Sequence, residues 1–220
     1  MQTRIATLAV AALAGATLAQ TTTVFPGGDQ AFLNLTNGGT LESAVLESRI
    51  GNANPEPGVW EVGLWRFGAV GSPLDQDGRG ITNGETATFD IQYDGAGSLS
   101  MTIDGASVLS TNITDPFTDI FIRLRGGSDS TVALTALQMN GSDLDVTSIS
   151  ATNGVEYLRI SNNGADFGAF QLTGSQQFSW TGNRPNNSGL AAQFKFTNVP
   201  APGGVAAIAL GGLAATRRRR

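Results

Sequence analysis

Between residues 86 and 110 the chain alternates apolar and polar side chains three times over, with a turn signal between each run and the next. Phe89, Ile91 and Tyr93 fall in one phase, Leu99, Met101 and Ile103 in a second, and Val108 in a third. Asp94-Gly95-Ala96-Gly97 separates the first two runs and Asp104-Gly105 the last two. A period of two places alternate residues on opposite faces of a strand, and Asp-Gly supplies the positive backbone angles that a tight hairpin needs. The stretch therefore predicts a three-strand meander, and nothing helical can share that period.

The rest of the chain repeats the pattern. Predicted strands are Ala31 to Leu35, ended by Asn37-Gly38-Gly39; Leu41 to Ile50, where helical and strand spacing compete and the flanking turn chemistry favours strand; and Val59 to Phe67. Asp119 to Arg125 follows, closed by Gly126-Gly127, then Thr131 to Met139, Glu156 to Ile160, Ala169 to Leu172, Gln177 to Trp180 and Leu190 to Phe196. About ten strands with 29 glycines, many in turns, predict an all-β fold. The expected form is a two-sheet β-sandwich, jelly-roll-like rather than a closed barrel.

The two ends of the chain differ from this middle. Residues 1–19 carry Arg4 ahead of an apolar run from Ile5 to Leu18, with Thr17 and Ala19 as small residues before the Ala19-Gln20 bond. That is the layout of a cleavable signal peptide. At the other end Val199-Pro200-Ala201-Pro202-Gly203 precedes an uncharged run and then Arg217, Arg218, Arg219 and Arg220. The prolines hold the backbone extended and keep it out of helix. Gly203 to Thr216 is 14 residues, about 21 Å as helix, short of the roughly 30 Å hydrocarbon core. Four arginines favour the cytoplasmic side, so the tail suits transient membrane contact better than permanent anchoring.

Composition excludes several chemistries. There is no Cys and no His, which removes Ser-His-Asp and Cys-His catalysis, disulfides and ordinary zinc sites. Of 13 basic residues, Arg4 and Arg217 to Arg220 lie in the ends, leaving 8 against 18 acidic residues and a net charge of −10 between them. Such a domain repels phosphates, so no nucleic-acid partner is expected. Any catalysis would rest on carboxylates, Tyr, Lys195 or Arg, and sequence cannot place a pair of carboxylates across a cleft.

Two local candidates stand out. Asp75-Gln76-Asp77-Gly78-Arg79-Gly80 has the spaced carboxylates of a calcium loop but lacks a third ligand and a distal Glu, so no metal or other cofactor is expected. Glu61 and Trp65 share a strand face, where an exposed ring beside a carboxylate could hold a sugar; the alternative is that Trp65 packs.

Two family resemblances follow from residues already quoted. Pro200, Pro202, the apolar run and Arg217 to Arg220 resemble the PEP-CTERM sorting signal, although Ala201 stands where that family usually has Glu. The resemblance implies handling by the export machinery, signal peptidase and an exosortase-like membrane transpeptidase. Glu47-Ser48-Arg49-Ile50-Gly51-Asn52, Phe178-Ser179-Trp180-Thr181-Gly182-Asn183-Arg184-Pro185 and Leu190 to Phe196 resemble the choice-of-anchor W type of exported domain. That class has no assigned activity and implies no catalytic residues.

The expected organisation is a signal peptide over 1–19, one domain over 20–198 and a sorting tail over 199–220. The expected function is non-catalytic: an exported component of a bacterial envelope or extracellular matrix, with polysaccharide as a candidate contact. The alternatives are a carboxylate-dependent enzyme acting on extracellular polysaccharide, and a structural coat or fibre subunit. Peptide mapping of secreted material should find Gln20 as the first residue; retention of Met1 would refute the signal-peptide assignment.

Overall fold

A computed structural model describes residues 20–50, 61–66, 71–186 and 189–199 of the chain. It is all-β, with one short helix. The elements are β1 (Thr21–Val24), α1 (Gly28–Leu35), β2 (Glu42–Arg49), β3 (Val62–Trp65), β4 (Asp75–Asp77), β5 (Thr86–Tyr93) and β6 (Leu99–Ile103). They continue with β7 (Ala106–Ser110), β8 (Asp119–Met139), β9 (Ser142–Asp143), β10 (Ile149–Ser161), β11 (Phe170–Trp180) and β12 (Ala191–Thr197). All strand pairs are antiparallel, and they form one nearly closed sheet in the order β4-β3-β2-β12-β8-β11-β5-β6-β7. β10 pairs with β8 and carries β1 on its far edge, and β9 pairs with the end of β8.

The meander is β5, β6 and β7. Phe89, Ile91, Tyr93, Leu99, Met101, Ile103 and Val108 all point into the core. Asp104 and Gly105 have φ of 49° and 82°, so the two-residue turn between Ile103 and Ala106 has both central residues left-handed, as a type I′ hairpin requires. Asn140-Gly141 makes the same turn between β8 and β9.

Three expectations are corrected. Ala31 to Leu35 is helical, within α1. Five residues are too few to separate a period of 2 from one of 3.6, and only Phe32 of this helix is buried. Asp29 sits in its first turn, where the helix dipole favours a carboxylate, and Gln30 donates to Asn34 one turn on. Gly126-Gly127 bends a strand and does not end one. β8 runs 21 residues through it, because a Cβ on Gly126 would lie 2.5 Å from the Ala151 carbonyl oxygen, and only glycine lets the backbones come that close. Likewise the predicted strands Ala169 to Leu172 and Gln177 to Trp180 are not separate: β11 runs unbroken from Phe170 to Trp180. It passes through Gly174, where a side chain would meet the Phe89 ring at 2.8 Å.

β8 changes neighbours along its length. On one edge Asp119 to Arg125 pairs with β12, and Ser130 to Met139 pairs with β11. On the other edge β10 spans both halves. The main core lies inside the sheet, with Phe194 against Phe89 at 5.2 Å and a cluster of Tyr93, Phe117, Phe167, Phe170 and Phe196 at one end. A smaller core lies outside it, where α1 seats Phe32 against Phe121, Tyr157 and Val199.

The two ends of the sheet order are joined by side chains. β4 and β7 share no backbone ladder. Asp77 accepts from the Ser107 amide and Asp75 from the Leu109 amide, both at 2.9 Å. Carboxylates two residues apart on one edge match free amides two residues apart on the other. The remaining oxygens of the pair accept from the amides of Gln76 and Gly78. All four oxygens of the former calcium candidate are therefore occupied by backbone N–H groups.

In Asp75→Ala/Asp77→Ala the seam should open. Charge-assisted hydrogen bonds of this kind contribute about 1.5–3 kcal/mol when sheltered, less at a wet edge, so a combined loss of roughly 1–3 kcal/mol is expected. Hydrogen exchange provides the specific readout: the Ser107 and Leu109 amides should lose protection while the β8 amides keep theirs.

Candidate functional site

The outer face of β2, β12, β8 and β10 is unusual for a solvent side of a sheet. Its side chains come from alternate residues that the register sets in one row: Glu47 opposite Gln193, Gln193 opposite Arg123, and Arg123 opposite Tyr157. They are hydrogen-bonded along that row. Arg49 donates to Glu47 at 3.0 Å, Gln193 donates to Glu47 at 2.9 Å, and Arg123 donates to the side-chain amide oxygen of Gln193 at 3.4 Å. Arg123 then grips Asp29 on α1 with both arms of its guanidinium, at 2.6 and 2.8 Å, and the Tyr157 hydroxyl donates to the same carboxylate at 2.8 Å. A bidentate fork of this sort fixes orientation as well as charge.

Lys195 lies beside that row. It alternates with Phe194 and Phe196, which face the core, so the strand period turns it outward beneath α1. It is only 7% exposed, donates to both oxygens of buried Glu42 at 3.2 Å, and rests over the Phe32 ring at 5.1 Å. The helix, the turn from Gly38 to Thr40 and this part of the sheet enclose a cleft of about 780 Å³. That falls within the size of small-molecule sites, roughly 300–1,000 Å³.

Electrostatics follow from the packing. Hydrogen bonds from Arg123, opposed by burial and helped by Tyr157, hold the Asp29 carboxyl down at about 2. Burial, reinforced by the Asp29 bond, pushes the Tyr157 hydroxyl up, so Tyr157 stays a donor. Burial lowers the Lys195 ammonium, and Glu42 opposes that shift. The cleft thus holds two cations and two carboxylates in pairs, beside a tyrosine that keeps its proton.

The predicted site residues fall elsewhere. Glu61 is fully buried and sits 3.9 Å from Arg184. Trp65 is 4% exposed and folds back over Gly63, where a Cβ would collide with its ring, and Arg49 caps the ring at 5.2 Å. No ring face is open to a sugar there, so the burial of Trp65 supports packing. Val199 lies in the outer core with its backbone N–H and C=O both 3.1 Å from the Thr118 hydroxyl. Gln20 directly precedes β1. Ala19, Pro200, Ala201, Pro202, Gly203 and Arg217 to Arg220 lie outside the described residues.

Among the described residues no group of three or more His, Cys, Asp or Glu is placed to hold a metal ion, and no helix is long and apolar enough to cross a membrane. Sequence reasoning reached Lys195 only as a member of a general pool and did not single out Asp29, Glu42, Arg123, Tyr157 or Gln193. One signal was available: Lys195 is the sole lysine in the chain, set between two core phenylalanines. The chain matches no family model, and it matches none of the curated proteins.

Asp29 supplies a pH test. Its folded value lies below the ordinary 3.8, so its contribution is present at higher pH and is lost as pH falls through 3.8 towards about 2. Asp29→Asn should cost about 1 kcal/mol near neutral pH, after allowance for the partial exposure of that carboxylate. The gap between wild type and variant in a urea melt should close as pH drops through that window.

Proposed function

We propose that the chain is an exported, non-catalytic protein of a bacterial envelope or matrix, sorted through its C-terminal tail, whose β-domain contacts extracellular polysaccharide. The observation that carries the sorting part is the way the two end signals meet the fold. Thr21 pairs with Ser161, Ser161 with Asp119 and Asp119 with Thr197, all in one row across β1, β10, β8 and β12. β1 runs away from that row and β12 runs into it. Both chain ends therefore leave the domain at one rim, three strand spacings or about 14 Å apart. A domain held by its tail then presents the opposite rim and the sheet faces outward.

Cleavage at Ala19-Gln20 would leave β1 whole, and processing anywhere beyond Val199 would leave the outer core whole. The non-catalytic reading draws support from the cleft. Glycoside hydrolysis needs one carboxyl that carries a proton, whereas Asp29 is held ionised and Glu42 is engaged by Lys195. The finer architectural reading belongs to the same proposal: the nearly closed sheet is a jelly-roll-like sandwich of two layers. Supporting it, β8 bends at Gly126 and takes β12 on one side of the bend and β11 on the other.

The test is the intact mass of envelope-associated protein from its native host. The mature chain should lack Arg217 to Arg220 and most of the apolar run. Arginines still attached to most molecules would make the tail a plain anchor. Truncation after Val199 should release a soluble domain, and truncation after Asn198 should release one less stable by roughly 1.5–3 kcal/mol, the transfer value of one buried valine side chain.

A further inference from the structure

We infer that the cleft beneath α1 binds an uncharged, hydroxyl-rich saccharide unit. This inference rests on the polysaccharide reading above and gives it a place and a ligand class. The argument is an account of hydrogen-bonding capacity. An ammonium has three donors, and Lys195 uses two on Glu42. A side-chain amide has two N–H donors, and Gln193 uses one on Glu47. A carboxylate accepts about four bonds, and Asp29 accepts three, two from Arg123 and one from Tyr157. By the same count Arg123 uses three of its five N–H donors and Glu42 two of its four or so acceptor sites, so the cleft walls retain both donors and acceptors beyond the bonds they already make.

That remainder is mixed in sign and neutral in charge. Each ammonium or guanidinium in the cleft already has a carboxylate, so a ligand bringing its own charge would have to break a pair. A polyanion would also approach a domain of net charge −10. Sugar hydroxyls, each both donor and acceptor, match the donors and acceptors that line one cavity. Leu33, 42% exposed on α1, gives the apolar lip against which the C–H face of a sugar ring can lie.

The experiment is native gel electrophoresis of the full chain in gels containing dextran, mannan or galactomannan as neutral probes, and alginate or hyaluronan as anionic ones. Two variants accompany it. Leu33→Glu alters the lip at an exposed position and leaves the fold intact, and Gln193→Leu removes the open amide. At least one neutral polysaccharide should retard the wild type, and each variant should weaken that retardation about five-fold, the value of roughly one hydrogen bond or contact. Retardation unchanged in Leu33→Glu would overturn the site while leaving the polysaccharide reading in place. Retardation by the anionic probes alone would overturn the ligand class. No retardation by any probe would overturn both the site and the reading on which it rests.

Discussion

The bend in β8 is the constraint on which the architecture depends. A strand has two hydrogen-bonding edges, and β8 must serve four neighbours. β12 and β11 both need the same edge, so they must use different lengths of it and diverge. Gly126 and Gly127 make this possible: the Gly126 backbone runs against Ala151 and Ser130 at distances that admit no side chain, and Gly127 lies tight against Gly189. Asp129, at φ 55°, completes the turn of direction, and its amide is held by Asn153 at 2.9 Å. The matching irregularity in β10, between Thr152 and Gly154, lets that strand follow both halves.

Once β8 bends, the far strands of the two halves approach each other. β4 and β7 meet at the opposite side, where the sheet has two edges and no ladder between them. Asp75 and Asp77 close this gap with two amide bonds, from Ser107 and Leu109, while their other oxygens hold the adjacent amides of Gln76 and Gly78. Inward-pointing carboxylates also guard an edge strand against pairing with another molecule. A single pair of residues therefore completes the enclosure and removes two adhesive edges.

The outer face shows how a charged site arises without a motif. α1 brings one carboxylate and one phenyl ring to a sheet face that carries Arg123, Tyr157, Gln193 and Lys195. None of these residues is near Asp29 in sequence. The helix covers the face enough to bury Lys195 and Tyr157, and partial cover is what shifts their proton affinities. The same helix seals Val199 against Phe121, which ties the exit of the chain to the site.

By itself, the sequence determined the all-β class, the meander from Thr86 to Ser110 and its turns, because a period of two and Asp-Gly chemistry are local. It suggested a strand for Ala31 to Leu35, which is helical, since a five-residue run fits either period. Only the tertiary structure decided that Gly126-Gly127 is a bend and that Asp75-Gln76-Asp77 is a seam, because both depend on backbones more than 20 residues away. It likewise decided that Trp65 is buried over Gly63 and that Lys195 meets Glu42. Period places a residue on a face, but what covers that face is a property of the whole fold.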